Sequence, residues 1–209
     1  NIQTGFYIVN TFTVPDEKIN VQVNKAWEDN SNANHKRPTS IKYILSGDGK
    51  KSEQEVTGNQ TTNDNWSYTF ENLPKYNVSG DEIPYTLEEQ EINSDDLKMY
   101  TKSISGNIKT GFNITNTFTV PDEKINVQVN KTWEDNFNKN QKRPTSIKYI
   151  LNGGTVPIEQ IVTGNATTDE NWNYTFINLP KYDELGNIIN YTIGEEEVNP
   201  RSFEFYKST

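Results

Sequence analysis

Three residue types stand in this chain where an apolar side chain is expected: a lysine, a glutamate and an asparagine. Lys25 lies on the stretch Ile19-Asn20-Val21-Gln22-Val23-Asn24-Lys25-Ala26-Trp27, and Lys131 on its second appearance, Ile125 to Trp133. Both stretches alternate as a half-buried strand does. Ile19, Val21, Val23 and Trp27 share a face, and Lys25 shares it with them; Lys131 is placed the same way. Such a lysine is expensive, because a core ammonium needs a partner or gives up its proton. Glu89 alternates with Tyr85 and Leu87, and Glu195 with Tyr191 and Ile193. The neighbouring Glu88 becomes Gly194 in the second copy, so position 89/195 is the one that keeps the acid. Asn116 alternates with Phe112, Ile114 and Phe118.

An amine, a carboxyl group and a carboxamide in one dry site have a definite chemistry. A neutral amine attacks the carboxamide carbon, releases ammonia and leaves an amide cross-link. A buried acid takes a proton from the amine and returns one to the amide oxygen or leaving group. Burial favours a neutral lysine beside a protonated glutamate, and the fold holds nucleophile and electrophile together. The plainer arrangement is a buried Lys25–Glu89 ion pair with Asn116 as a hydrogen-bond partner. Inward placement alone leaves both open.

The elements that must position these groups are repeated. Thr13 to Lys25 recurs unchanged at Thr119 to Lys131, an offset of 106 from residue 25 to residue 131. That period is domain-sized. Each copy alternates again at Ile41–Leu45 and Ile147–Leu151, at Trp66–Phe70 and Trp172–Phe176, and at Ile83–Glu89 and Ile189–Glu195. A loop rich in Gly, Asn and Thr is expected after Leu45, and a turn at Asn72–Tyr76 and Asn178–Tyr182. No stretch sustains a 3.6-residue period. Short strands at this spacing predict all-β sandwiches in tandem.

The 209 residues carry a net charge of -9, which argues against nucleic acid and anionic membrane as partners. No apolar run is long enough to span a bilayer, so membrane insertion is not expected. Without an initiator Met or a signal peptide, the chain reads as a segment of a longer protein. Cysteine is absent, which excludes disulfides and thiolate metal sites. No metal or other cofactor is expected. His35 has Gln141 as its counterpart and reads as a loop residue. Glu28-Asp29-Asn30 and Glu134-Asp135-Asn136 lack calcium-loop spacing and read as solvated turns. Glu88-Glu89 and Glu195-Glu196-Glu197 put adjacent acids on opposite faces, unlike a glycosidase pair. Trp27, Trp66, Trp133 and Trp172 fall in the alternation and read as core rather than as a sugar platform.

Lys-x-Trp opening a copy, Lys-Arg-Pro-Thr-Ser, Asn-Trp-x-Tyr-Thr-Phe, Asn-Leu-Pro-Lys-Tyr, Tyr-Thr-Leu-Glu-Glu and Ile-Thr-Asn-Thr closing it resemble the B-type repeat domain of Gram-positive collagen adhesins (the Cna B family). The resemblance covers nearly the whole chain in the right order. It implies inverse immunoglobulin-like (Cna B-type) β-sandwiches forming a stalk on a cell-wall-anchored, extracellular surface protein. It also implies a spontaneous Lys–Asn isopeptide bond assisted by an acid: Lys25 with Asn116 beside Glu89, and Lys131 beside Glu195. Such a reaction is single-turnover, not enzymatic in the usual sense. Closing the loop between residues 25 and 116 is worth about 4–5 kcal/mol by the chain-entropy estimate, and the bond resists reduction.

Residues 15–120 are expected to form a complete domain, and 121–209 a domain whose last strand is missing. Residues 1–14 carry an orphan copy of that strand, Phe6-Tyr7-Ile8-Val9-Asn10-Thr11-Phe12. The expectation is that Asn10 of one molecule completes the open domain of another, meeting Lys131 and Glu195 in head-to-tail donor-strand addition. Self-completion is disfavoured, because Thr13 to Lys18 reaches only about 20 Å. A frayed second domain with a loose N-terminal tail is the plainer alternative. Host extracellular matrix is expected to meet other regions of the parent protein; a collagen- or glycan-binding module without covalent polymerisation is the rival.

Overall fold

In a computed structural model, residues 5–93, 95, 97–198 and 204–207 are described. Residues 1–4 of the expected orphan segment, and Ser208 and Thr209, lie outside them. The chain divides into two units, Asn1–Thr119 and Val120–Thr209.

Unit 1 contains β1 (Lys18–Glu28), β2 (Ser40–Gly47), β3 (Lys50–Thr57), β4 (Tyr68–Pro74), β5 (Thr86–Glu91), β6 (Tyr100–Asn107) and β7 (Gly111–Phe118). One sheet has the order β4-β1-β7-β6, the other β3-β2-β5. Val21, Val23, Phe112 and Ile114 from the first sheet share a core with Ile41, Tyr43 and Leu45 from the second, which makes the unit a sandwich. The first and last strands, β1 and β7, are parallel neighbours, with Lys25 opposite Ile114 and Trp27 opposite Asn116.

Unit 2 contains β8 (Lys124–Val129), β9 (Ile147–Asn152), β10 (Ile158–Val162), β11 (Tyr174–Pro180) and β12 (Thr192–Glu197). Its sheets are β10-β9-β12 and β11-β8. Among the described residues nothing corresponds to β6 and β7. The consequence is visible in identical residues. Lys18–Lys25 and Lys124–Lys131 have the same sequence, yet β1 runs on to Glu28 while β8 stops at Val129. Val21 and Val23 are fully buried, whereas Val127 and Val129 are half-buried. A strand without a neighbour on one side loses both the pairing and the cover that the neighbour supplies.

The all-β class and the alternating core strands follow the sequence, and the four tryptophans are buried in the core as expected. Two strands differ from expectation. The stretch after Leu45 was expected to be a loop but contains β3, and β6 was not anticipated. Both are edge strands whose residues are largely exposed, so their sequences lack the apolar alternation that marks a half-buried strand. The expected turn at Asn72–Tyr76 begins inside β4, which extends to Pro74 through an irregularity in its register with β1 that leaves Asn72 at φ 57°. The strand expected from Ile83 starts only at Thr86, after Pro84, which has no N–H for a ladder. Residues 5–17 form no regular secondary structure, and Phe6, Tyr7, Ile8, Val9 and Phe12 are exposed. Their alternation is that of a strand, but a lone strand has nothing to satisfy its backbone.

Candidate functional site

The inward lysine, acid and amide of unit 1 are all buried. Lys25 Nζ lies 3.3 Å from Glu89 Oε1, and both side chains have 0% exposure. Asn116 also has 0% exposure. Its strand neighbours Lys25's strand, which sets its side chain on the same sheet face one residue pair along. These polar groups are poorly satisfied. Neither Oδ1 nor Nδ2 of Asn116 has a hydrogen-bond partner, and neither does either carboxylate oxygen of Glu89. The Glu89 contact with Lys25 is thus an ion-pair distance without good hydrogen-bond geometry. Lys25 Nζ donates a long bond of 3.4 Å to the Ala26 carbonyl.

Burial pushes the Lys25 amine down to about 8, against the opposing pull of Glu89; Lys102 and Arg37 push in the same direction as burial. The ammonium sits 4.1 Å from the centroid of the Trp27 ring. Behind Glu89, Tyr43 is its partner across β2 and β5. The Tyr43 hydroxyl donates to the Trp66 carbonyl at 2.7 Å, and burial pushes the phenol up, so it stays a neutral wall of the site.

A second buried cluster supports the first. Asp29 receives Arg37 Nε at 2.9 Å and the Tyr100 hydroxyl at 3.1 Å, and Arg37 Nη2 pairs with its other oxygen. The Arg37 guanidinium lies 5.2 Å from the Trp27 centroid, and Tyr100 meets Trp27 edge-on at 5.0 Å. Burial raises the Asp29 carboxyl, but the bonds from Arg37, the Asn32 N–H and Tyr100 outweigh it and hold it below its ordinary value. The expected solvated turn is therefore corrected: Asp29 is 6% exposed and anchors the loop. Unit 2 repeats the cluster with Asp135, Arg143 and Tyr206. Its recurrence in both copies was the sequence signal for it, hidden because Tyr100 is 71 residues from Asp29.

In unit 2, Lys131 Nζ reaches Glu195 at 3.2 Å, but the side chains retain 19% and 15% exposure. They line a cleft of roughly 730 Å³ together with Trp133, Tyr149, Ile193 and Tyr206. Asn10 is exposed on the N-terminal segment. Unit 1 thus pairs Lys25 with Glu89 and buries Asn116 on the strand beside Lys25, and unit 2 pairs Lys131 with Glu195. Among the described residues no group of acids and histidines is arranged to hold a metal, and no helix is long and apolar enough to cross a membrane.

These features define a class: a tandem of β-sandwich domains, each with an inward amine–carboxylate pair, the first also with a buried carboxamide on its last strand beside the amine's strand. The sequence model of the Cna protein B-type domain matches residues 21–117 and 127–209, and the chain belongs to that family. It is 35% identical over 196 residues to a collagen adhesin of Staphylococcus aureus, a match that covers 93% of this chain and 15% of the adhesin. It also matches the crystal structure of a single B repeat unit of the collagen-binding surface protein of that organism, at 32% identity, 86% of both chains and a TM-score of 0.40. A two-repeat structure of the same protein matches at 33% identity, 87% of this chain, 45% of the other and a TM-score of 0.42.

Proposed function

We propose that the chain is a stalk segment of a bacterial cell-surface adhesin, strengthened by a spontaneous isopeptide bond between Lys25 and Asn116. The observation that carries this reading is the enclosed amide of Asn116, with neither polar atom bonded, on the strand beside a buried amine–carboxylate pair. A buried polar network left this unsatisfied is costly as a purely structural device, whereas the same groups are the reactants of an amide exchange.

Glu89 takes a proton from the Lys25 ammonium. The freed amine attacks Cγ of Asn116 and a C–Nζ bond forms. Nζ gives up a second proton as the amide forms; Glu89 relays one of the two protons to Nδ2 and keeps the other, the Cγ–Nδ2 bond breaks, and ammonia leaves beside a protonated Glu89. Atoms and charge balance without a co-reactant, and the site turns over once. The product joins parallel neighbours at the start and end of the domain, so tension on the unit's two ends passes through covalent bonds before it reaches the core.

The same reading extends to unit 2, taken as residues 121–209 beside a complete domain at 15–120. Its open cleft takes a strand of the pattern carried by residues 1–14, with Asn10 of a second copy meeting Lys131 and Glu195 and polymerising the chain head to tail. Of the exposed apolar residues 6–9 and 12, Phe6, Ile8 and Phe12 share with Asn10 the face such a strand would bury. Contact with host matrix belongs to other regions of the longer protein, anchored at the cell wall. Intact mass and a denaturing gel test both parts. The expected monomer lacks one ammonia, and a boiling-resistant ladder is lost in Asn10→Ala and Lys131→Ala. A monomer of uncorrected mass overturns the first bond, and a single band overturns the second.

A further inference from the structure

Lys102 stands where the sandwich would otherwise be open. β6 is the edge strand of its sheet, and Lys102 is the register partner of Asn116 on β7. Partners in an antiparallel pair present their side chains to the same face, so the Lys102 side chain leaves β6 on the face that carries the buried amide. It crosses to the second sheet and donates from Nζ to the backbone carbonyl of Glu89 at 2.8 Å. β5 is the edge strand there. One side chain thus links the two edges, from the register partner of Asn116 to the main chain of Glu89. In unit 2, where no counterpart of β6 is described, the equivalent lysine and glutamate are partly exposed.

We propose that Lys102 is a positioning residue for the cross-linking reaction: it clamps the Glu89 main chain, closes the chamber from its open edge, and sets a second ammonium beside Lys25. The inference rests on the isopeptide reading above. The charged groups facing the Lys25 amine are Glu89 from β5, Lys102 from β6 and Arg37 from the loop after β1, with Tyr43 of β2 behind the glutamate. Glu89 alone favours the ammonium. Lys102 and Arg37 oppose it, and Arg37 is already neutralised by Asp29. Lys102 makes its bond to a neutral carbonyl, so its charge is left to act on the amine. Lys102 is exposed on its edge strand, with its Nζ held at the Glu89 carbonyl.

The test uses the full chain, recovered unfolded before reaction, refolded by dilution at a series of pH values and followed by intact mass. Lys102→Met keeps the stem and removes the charge and the hydrogen bond; Lys102→Arg keeps a cation and a donor. Near neutral pH, ammonia loss from the Met variant should slow by a few-fold, because losing the Lys102 charge raises the pKa of the Lys25 amine. Its rate–pH profile should move to higher pH and approach wild type in base, and Arg should restore most of the rate. Circular dichroism of each variant in an Asn116→Ala background checks that the fold survives. A Met variant that keeps pace with wild type overturns the role of Lys102 and leaves the cross-link standing. So does slowing by one factor at every pH, unrescued by Arg, which marks a purely structural contact. A wild-type chain that never loses ammonia overturns both readings.

Discussion

Lys131 Nζ approaches Glu195 to 3.2 Å, as Lys25 approaches Glu89 to 3.3 Å, although only the second pair is sealed from solvent. The amine–acid pairing is therefore built by β1 and β5, or by β12 and the segment just after β8, without the last strand. What the last strand adds is dryness and the buried carboxamide of Asn116. Under the isopeptide reading this separates a preassembled half-site from a complete one, and several measurable consequences depend on the difference.

Ammonia loss in unit 1 should depend on pH through Lys25. Its amine is pushed down to about 8 by burial, so the reactive neutral fraction should grow about tenfold per pH unit below that value and level off above it. Refolding assays from about pH 6 to about pH 9, read by mass, should show that rise; a flat profile would mean that deprotonation of Lys25 does not limit the reaction.

The same shift predicts a stability profile once the bond is prevented by Asn116→Ala. The unfolded lysine holds its proton up to 10.5 and the folded one only to about 8. Between those values the unfolded state binds more protons, so stability should rise with pH. Below about 8 the lysine is charged in both states and its unfavourable contribution is constant. Urea titrations across this window check the sign.

Loss of the cross-link itself should cost unit 1 about 4–5 kcal/mol by the loop-closure estimate. Wild type and Asn116→Ala, compared by denaturant unfolding of unit 1, give the figure. Equal midpoints would mean that the bond had not formed in the wild type.

Arg37→Ala should destabilise unit 1 by roughly 3–5 kcal/mol, because it leaves the Asp29 carboxylate buried without its partner. The part of that stability tied to the Asp29 proton is present above the unfolded carboxyl's value of 3.8 and lost as pH falls through the lower folded value. Chemical denaturation of the variant near neutral pH measures the loss, and a change under about 1 kcal/mol would class the pair with ordinary surface ion pairs.

Gly58→Ala should destabilise unit 1 by about 1–3 kcal/mol through overpacking. A Cβ there would fall inside the Trp66 indole, which is fully buried and bonded from Nε1 to the Asn59 carbonyl at 2.7 Å, leaving the ring no room to move. Thermal unfolding checks it, and Gly164→Ala against Trp172 should behave alike.

The inward lysines and glutamates were legible because a period of two leaves no choice of face once flanking residues are buried. Asn116 was legible for the same reason. Lys102 and Arg37 were not. Lys102 sits on an edge strand whose polar residues carry no alternation, and Arg37 sits in a loop, where position along the chain does not reveal direction. Asp29, read as a solvated acid, becomes a core anchor only when Arg37 and Tyr100 converge on it.

By itself the sequence determined the repeat, the all-β class, and which side chains turn toward the core, since these follow from local periodicity and from comparing two copies. Tertiary structure alone decided that β1 and β7 are parallel neighbours, that edge strands close the sandwich, and that one lysine–glutamate pair is dry while its twin is open. The physical reason is that burial belongs to neighbouring strands. The identical residues Val23 and Val129 show it: Val23 is fully buried between β4 and β7, and Val129 is half-buried with β11 on one side and, among the described residues, no strand on the other.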